Sequence, residues 1–225
     1  MTAIHNVNEC LDIVSDAKAT LVDIDGIGSE LPATLFAWDD TTLIGYAMLT
    51  DHPLDSSIAT TRLTQAAGLL VTGWHATALA LTLEGYAQPD TVFTQPREAR
   101  DLAASFPTDP TIVEALWAAY TNGTDDHCLA VRPYRIGIGR TVTYDPTTYD
   151  TRPTSQVKDY TTPGTLPNII ETALTTLEPT PIPRNATIGS CRQVIAGIIH
   201  RLGFSVRLDT PETNYPDPFT GRTSL

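Results

Sequence analysis

Small and apolar residues recur at steps of three and four between Asp55 and Trp74, which predicts an amphipathic α-helix. The repeat comprises Ala59, Leu63, Ala66, Ala67, Leu70 and Trp74. Asp55 is suited to cap this helix, and Gly73 is suited to end it in a left-handed conformation. From Ala78 to Leu83, leucine alternates with alanine or threonine, which predicts a strand covered on both faces. We therefore expect a helix that leads into a central strand.

Two shorter patterns precede this helix. Apolar residues at 7, 10, 11 and 14 predict a short amphipathic helix that ends near Lys18. The following residues, 19–32, predict a short strand and an irregular loop, because an apolar stretch is broken there by two glycines and a proline. Two apolar runs flank the polar residues 39–41, and they predict a β-hairpin over residues 33–49.

The pattern after the central strand predicts two helices and a second hairpin. Residues 97–106 predict one helix, and residues 108–123 predict another that turns Val113, Leu116, Trp117 and Tyr120 inward. Residues 127–136 and 139–144 predict two strands, with glycines supplying the bend between them. This order of elements predicts an α+β fold with a mixed, mostly antiparallel sheet and helices packed on it.

The last third of the chain differs in composition. Prolines and threonines dominate after Tyr144, so we expect a core domain over residues 1–150. Residues 151–225 are predicted to form a linker, two amphipathic helices and an extended tail. The apolar stripes of these helices are Ile169, Ile170, Leu174 and Leu177 in the first, and Ile188, Ile195, Ile198, Ile199 and Leu202 in the second. Gly203 is expected to end the second helix.

Those stripes require a covering surface, because burying a leucine or isoleucine side chain contributes about 1.5 to 3 kcal/mol. They either fold back on the sheet or meet another chain. We expect a C-terminal helical arm, residues 166–204, that contacts a protein partner or a second copy of this chain.

Composition and charge narrow the functional classes. The 225 residues are 41% apolar, which is typical of a folded protein. Twenty-six acidic residues against fourteen basic ones give a net charge of −12, which disfavours nucleic acid as a partner. No leader-like N-terminus and no long apolar run is present, so we expect a cytoplasmic protein without membrane contact.

Residue usage also bears on the source. Lysine occurs only at Lys18 and Lys158, whereas arginine, alanine and threonine are abundant. This usage is typical of GC-rich genomes and favours a bacterium or one of its phages. A phage origin would make a virion location an alternative to the cytoplasm.

Cysteine and histidine spacing gives no sign of a metal site or disulfide framework. Cys10, Cys128 and Cys191 are odd in number and widely separated. None of the five histidines follows an HxH or HExxH pattern. We expect no metal and no cofactor.

The segment Leu-Val-Asp23-Ile-Asp25-Gly26 is the best candidate for chemistry. It is similar to the opening motif of haloacid-dehalogenase-type phosphatases, in which a strand delivers a nucleophilic aspartate and a second acid near a magnesium ion. The resemblance implies Asp23 and Asp25 as catalytic residues of a small metal-dependent hydrolase. That family places a lysine before its acidic metal-binding pair, whereas Lys158 follows the pair at 125–126 here. The alternatives are an exposed acidic turn and a loose calcium site.

Arg132, Tyr134, Arg135 and Arg140 form the one local concentration of positive charge. On a strand, Arg132 and Tyr134 share a face and Arg135 takes the other. Guanidinium groups bind carboxylate or phosphate in bidentate fashion, so this group is a candidate contact for a small anion or an acidic partner. The alternative is that these arginines offset nearby acids on a solvated hairpin.

Two functional hypotheses result from the sequence. The favoured one is a non-catalytic protein-interaction or assembly protein that docks through its C-terminal arm. The alternative is a small hydrolase, a metal-dependent phosphatase that uses Asp23 and Asp25.

Overall fold

The computed structural model describes residues 2–50, 57–95, 97, 99–122, 127–152 and 188–209. Within these residues lie four helices and an antiparallel sheet of eight strands, so the predicted α+β class is confirmed. The helices are α1 (Thr2–Asp25), α2 (Ser57–Gly73), α3 (Ala99–Ser105) and α4 (Ile188–Arg201). The strands are β1 (Thr34–Asp39), β2 (Thr42–Leu49), β3 (Ala78–Ala87), β4 (Val113–Thr121), β5 (His127–Ile136), β6 (Val142–Tyr144), β7 (Thr148–Arg152) and β8 (Phe204–Leu208).

The chain divides into two compact units, and each is assembled from separate parts of the sequence. Of the described residues, those within 2–32 and 80–152 form the first unit, and those within 33–79 and 188–209 form the second. The predicted division into residues 1–150 and 151–225 stays a prediction, because residues 153–187 and 210–225 lie outside the described part of the chain.

The first unit consists of a sheet covered by a long helix. Its strands run in the order β6-β5-β4-β3, with β7 also paired to β5. The pairing of β4 and β5 is antiparallel and sets Glu114 opposite Tyr134 and Thr121 opposite His127. Helix α1 packs on β4 and β5. The residues that α1 buries are spaced by three or four and include Val7, Leu11, Val14, Lys18 and Val22.

Helix α1 is longer than the sequence pattern predicted. It continues to Asp25, so the strand predicted after Lys18 is wrong. The buried face runs from Val14 through Lys18 to Val22. In the sequence, the lysine interrupts the apolar pattern of this face, and the interruption looks like the end of a helix. Among the described residues, no helix is both long and apolar enough to cross a membrane.

The prediction of a helix over residues 108–123 is also wrong, because residues 113–121 form strand β4. All residues from Ala115 to Thr121 are buried, so both faces of β4 are covered and the alternating pattern of a half-exposed strand is missing. Asp109, just before β4, closes a turn. Its Oδ1 accepts hydrogen bonds from the Thr111 amide and hydroxyl at 3.0 and 2.6 Å.

The predicted domain boundary at residue 150 falls within a strand of the first unit. Residues 148–152 form β7, which pairs antiparallel with the first half of β5. The Tyr149 hydroxyl donates a hydrogen bond to Asn8 Oδ1 on α1. The hairpin of β5 and β6 was predicted correctly, and Gly139 adopts a positive φ of 81° in its turn.

The second unit contains the predicted β1–β2 hairpin and a strand from the end of the described chain. Its strand order is β1-β2-β8. Strand β8 pairs antiparallel with β2 and sets Gly45 opposite Leu208. A Cβ atom at Gly45 would lie 2.3 Å from the Arg207 carbonyl oxygen, so the absence of a side chain there permits this close pairing.

Helices α2 and α4 pack on each other in the second unit. A Cβ atom at Gly73 would lie 2.2 Å from Cγ1 of Ile195, so this glycine admits the Ile195 side chain. The predicted left-handed conformation of Gly73 is wrong, and the positive φ of 57° occurs at His75 instead. The Trp74 Nε1 group donates a hydrogen bond to the Arg192 carbonyl at 3.2 Å, which adds a second link between the end of α2 and the first half of α4.

Helix α4 was predicted correctly, and so was its end. Gly203 has a φ of 90°, the left-handed conformation expected of a glycine that terminates a helix. The predicted helix that carries Ile169, Ile170, Leu174 and Leu177 lies outside the described residues.

Candidate functional site

A buried polar cluster lies between α1 and the sheet of the first unit. It consists of Lys18, Glu84, Glu114 and Tyr134, and we call it the Lys18 cluster. The Lys18 side chain is only 1% exposed, and its Nζ donates hydrogen bonds of 2.6 Å to Glu84 Oε1 and of 2.6 Å to the Ser29 carbonyl. The same Nζ lies 5.3 Å from the centre of the Tyr134 ring. The ammonium group is therefore held by a carboxylate, a carbonyl and an aromatic face.

Glu84 connects the cluster to three parts of the first unit. Its Oε1 accepts hydrogen bonds from Lys18 on α1 and from the Tyr134 hydroxyl on β5. Its Oε2 accepts a hydrogen bond of 2.8 Å from the Leu31 amide. This carboxylate thus joins helix, sheet and the loop that follows the helix.

Strand geometry explains how these side chains meet. Glu84 continues the small-residue face of β3, on which Ala80 and Thr82 leave room for a neighbouring helix. Glu114 and Tyr134 are directly opposite each other on β4 and β5, so their side chains share one face of the sheet. Helix α1 supplies Lys18 to that face.

Burial and crowding of acids set the electrostatics of the Lys18 cluster. The pKa of Glu114 is raised, chiefly by burial and also by the nearby Glu84 charge, while Lys18 and a hydrogen bond from Tyr134 oppose the shift. Burial also raises the pKa of Tyr134, and its bond to Glu84 acts in the same direction. The pKa of Tyr86 is raised by burial and then by Glu114. The cluster contains two carboxyl groups and one ammonium group, so it favours holding a proton on Glu114.

The arrangement is that of a structural ion pair. Ser15 and Lys18 have the Ser-x-x-Lys spacing of serine-lysine acylases, but the Ser15 hydroxyl accepts a hydrogen bond of 3.0 Å from Arg132 Nη1. Lys18 is directed to Glu84 instead. In the described part of the chain, no group of three or more histidine, cysteine, aspartate or glutamate side chains is arranged to hold a metal ion.

Sequence reasoning missed the Lys18 cluster apart from Tyr134. The available signal was the spacing of Val14, Lys18 and Val22, which places the lysine on the buried face of a continuous helix. Neither Glu84 nor Glu114 was singled out, because partners that lie far apart in sequence cannot be paired from spacing.

The predicted arginine group is used within the first unit. Arg132 Nη1 lies 2.7 Å from Asp12 Oδ1, and its Nε donates a hydrogen bond of 3.0 Å to the Thr147 hydroxyl. Arg135 forms an exposed ion pair of 3.6 Å with Asp145. Arg140 Nη1 donates a hydrogen bond of 2.9 Å to the Asp23 carbonyl. These partners fit the alternative in which the arginines offset nearby acceptors on the hairpin.

Asp23 and Asp25 lie in the last turn of α1, where both residues are exposed. The phosphatase motif requires a strand that delivers its two acids, and the segment here is helical. The resemblance therefore lacks the structural setting on which its implied chemistry depends.

Three exposed isoleucines lie at this same end of α1 and on the neighbouring hairpin. Ile24 is 70% exposed, Ile27 59% and Ile138 fully exposed. Ile24 follows Asp23 in the chain and Ile138 precedes Arg140 by two residues, so the bond from Arg140 to the Asp23 carbonyl sets the segments that carry the three isoleucines beside each other. We call this area the isoleucine patch. Of the large hydrophobic residues in the described chain, these are three of the four most exposed.

The predicted interaction helices have a different environment. Ile195 and Ile199 of α4 are buried, and Ile198 and Leu202 are half-buried. The second unit itself thus covers much of this stripe. Ile188 lies at the start of α4, and its side chain is outside the described part of the structure.

Comparison with known proteins adds no relative. No protein-family model, curated protein or solved structure matches this chain.

Proposed function

We propose that this chain is a non-catalytic protein-interaction or assembly protein. The isoleucine patch is the observation that carries the proposal. Isolated exposed hydrophobic residues are ordinary on protein surfaces, but a group of large ones at one place is typical of an interaction site. Burying one isoleucine contributes about 1.5 to 3 kcal/mol, so covering Ile24, Ile27 and Ile138 together would contribute substantially to binding.

The contacts of the buried side chains of Lys18 and Glu84 support the same proposal. A catalytic lysine or carboxylate needs access to a substrate, whereas Lys18 and Glu84 are directed at each other and at backbone groups. No observation favours the hydrolase that would use Asp23 and Asp25, since neither lies at the end of a strand.

The proposed contact surface differs from the one expected from sequence. Ile195 and Ile199 are buried within the second unit, so they do not offer a surface to a partner. The isoleucine patch takes their place in the proposal. Residues 166–187 of the expected arm lie outside the described chain, and their role in association stays a prediction. We also propose a cytoplasmic or virion location, and this part of the proposal rests on composition alone.

Sedimentation of the labelled full chain tests this function. We expect the wild type to sediment faster than a 24.3 kDa monomer, either alone or in an extract of the cells that encode it. A variant with Ile24→Glu, Ile27→Glu and Ile138→Glu should sediment as a monomer in both. The matched control is Ile58→Glu, which alters an exposed isoleucine on α2 and should leave association unchanged. A monomeric wild type in both media would contradict the proposal.

A further inference from the structure

We propose that the isoleucine patch binds the same patch of a second copy of this chain, related by a two-fold axis. This inference rests on the proposed function and names its partner. The segments that carry the three isoleucines also carry exposed charged side chains of both signs. A two-fold contact requires such a surface, because each half must be complementary to itself.

The charges are supplied by two different elements. The end of α1 contributes the exposed carboxylates of Asp23 and Asp25. The β5–β6 hairpin contributes the exposed Arg140, whereas the charge of its exposed Arg135 is already offset by Asp145. A two-fold axis through the isoleucines places the helix end of one copy against the hairpin of the other, so each acidic side meets a basic side.

The overall charge of the chain opposes contact between two copies. Two copies each carry a net charge of −12 and repel each other over most of their surfaces. A region where an arginine lies beside acids offsets part of that repulsion when two like chains meet. The hairpin next to α1 is such a region, and Ile138 projects fully into solvent at its tip.

The backbone turns sharply beside Ile27 and beside Ile138. Gly26 has a φ of 101° just after α1, and Gly139 and Arg140 have φ values of 81° and 64° in the hairpin turn. Left-handed residues reverse the chain sharply at these points. Ile27 and Ile138 stand next to these reversals and remain uncovered by their own unit.

The central test uses charge reversal and mixing. Sedimentation velocity of the purified full chain, from low to high micromolar concentration, should show a species near twice 24.3 kDa. Asp25→Arg alone and Arg140→Glu alone should each lower the association constant at least tenfold, because each sets like charges against each other. An equimolar mixture of the two variants should regain dimers near the wild-type level, since an acidic residue then faces an arginine at both contacts.

A second pair of variants tests the apolar part of the contact separately from the charge pairs. Ile138→Asp should abolish the dimer, whereas Ile58→Asp on α2 should leave it intact. Circular dichroism and urea unfolding of each variant establish that it is folded. The inference is overturned if the wild type stays monomeric at all concentrations, if Ile138→Asp leaves the dimer unchanged, or if mixing restores nothing. A chain that is monomeric alone but associates in cell extract would rule out a second copy as the partner. The proposed interaction function would then still stand.

Discussion

The Lys18 cluster of the first unit and the α2–α4 contact of the second are both buried, but different forces hold them. Lys18 is retained by a carboxylate, a carbonyl and a tyrosine ring, and its removal would leave charged partners without compensation. The α2–α4 contact depends on space, because Ile195 occupies the volume that a side chain at Gly73 would need. Substitutions that remove a charged side chain should therefore destabilise the Lys18 cluster most. Substitutions that add atoms should destabilise the α2–α4 contact most.

The largest effect is expected at the Lys18 cluster. Lys18→Met keeps the length of the side chain but leaves Glu84 as an unpaired, largely buried carboxylate. Breaking a buried ion pair in this way typically costs about 3 to 5 kcal/mol of unfolding free energy. Urea denaturation of the variant measures this loss.

Two further variants distinguish a buried pair from an ordinary one. Adding Glu84→Gln to Lys18→Met should recover part of the loss, because a neutral amide is less costly to bury than a carboxylate. Arg135→Met removes one partner of the exposed Arg135–Asp145 pair and should cost less than about 1 kcal/mol. Equal losses in Lys18→Met and Arg135→Met would contradict the role given to burial.

The next effect concerns Gly73. Gly73→Ala forces a methyl group against Ile195 and should lower the unfolding free energy by about 1 to 3 kcal/mol, as overpacking of cores does. In the Ile195→Ala background the same change should cost less, because the space is then free. Thermal or urea unfolding of the two single variants and the double variant measures this coupling.

Gly197→Ala is the matched control for this prediction. Gly197 also lies in a helix, but nothing lies within 4 Å of the Cβ atom that alanine would add. Alanine is favoured over glycine in a helix by up to about 1 kcal/mol, so this variant should be as stable as the wild type or more stable. A loss at Gly197 equal to that at Gly73 would mean that helix packing is not the cause.

A smaller effect concerns the pH dependence of the Lys18 cluster. The pKa of Glu114 in the folded chain is raised above its ordinary value of 4.5 by burial and by Glu84. The folded state therefore holds this proton more tightly than the unfolded state. The resulting stability is fully present below pH 4.5 and is lost as the pH rises through the raised pKa.

Glu114→Gln removes this titration. The variant should match the wild type at acidic pH and become the more stable of the two at neutral pH. Unfolding free energies of both proteins between those conditions measure the difference. A wild type that gained stability over the variant on going to neutral pH would reverse the sign and refute the assignment.

The smallest expected effect concerns the reactivity of the cysteine thiols. Burial raises the pKa of the Cys128 thiol to about 12, and burial likewise raises the pKa of Cys10. Both thiols should resist a disulfide reagent at neutral pH in the folded chain, because the thiolate is the reactive form. In a Cys191→Ala background, absorbance with such a reagent should report no fast-reacting thiol before unfolding and two after it.

The sequence predicted elements correctly where one pattern was unbroken. Helix α2 and strand β3 follow helical and alternating periods from end to end, and α4 ends at the glycine expected. Strand β4 was mistaken for a helix because its alanines and aromatics are buried on both faces, which removes the alternation that distinguishes a strand. Helix α1 appeared short because Lys18 interrupts its apolar stripe, although the residue is as buried as its neighbours.

The candidate surfaces were harder to predict for a physical reason. The Lys18 cluster joins residues from α1, β3, β4 and β5, and its existence depends on strand neighbours that no local spacing encodes. The isoleucine patch joins the end of α1 to a hairpin more than a hundred residues later in the chain, and a hydrogen bond from Arg140 to the Asp23 carbonyl links the two segments. The arginines were noticed, but their partners could be identified only in three dimensions.

The place of β8 in the second unit has a consequence for biosynthesis. Its partner β2 and the helix α2 leave the ribosome long before residues 188–209, which supply β8 and α4. The nascent second unit must persist with an open strand edge and an uncovered helix face while the intervening chain is translated. The described parts of the first unit are complete by residue 152, so the order of translation permits one half of the protein to mature while the other still waits for its last pieces.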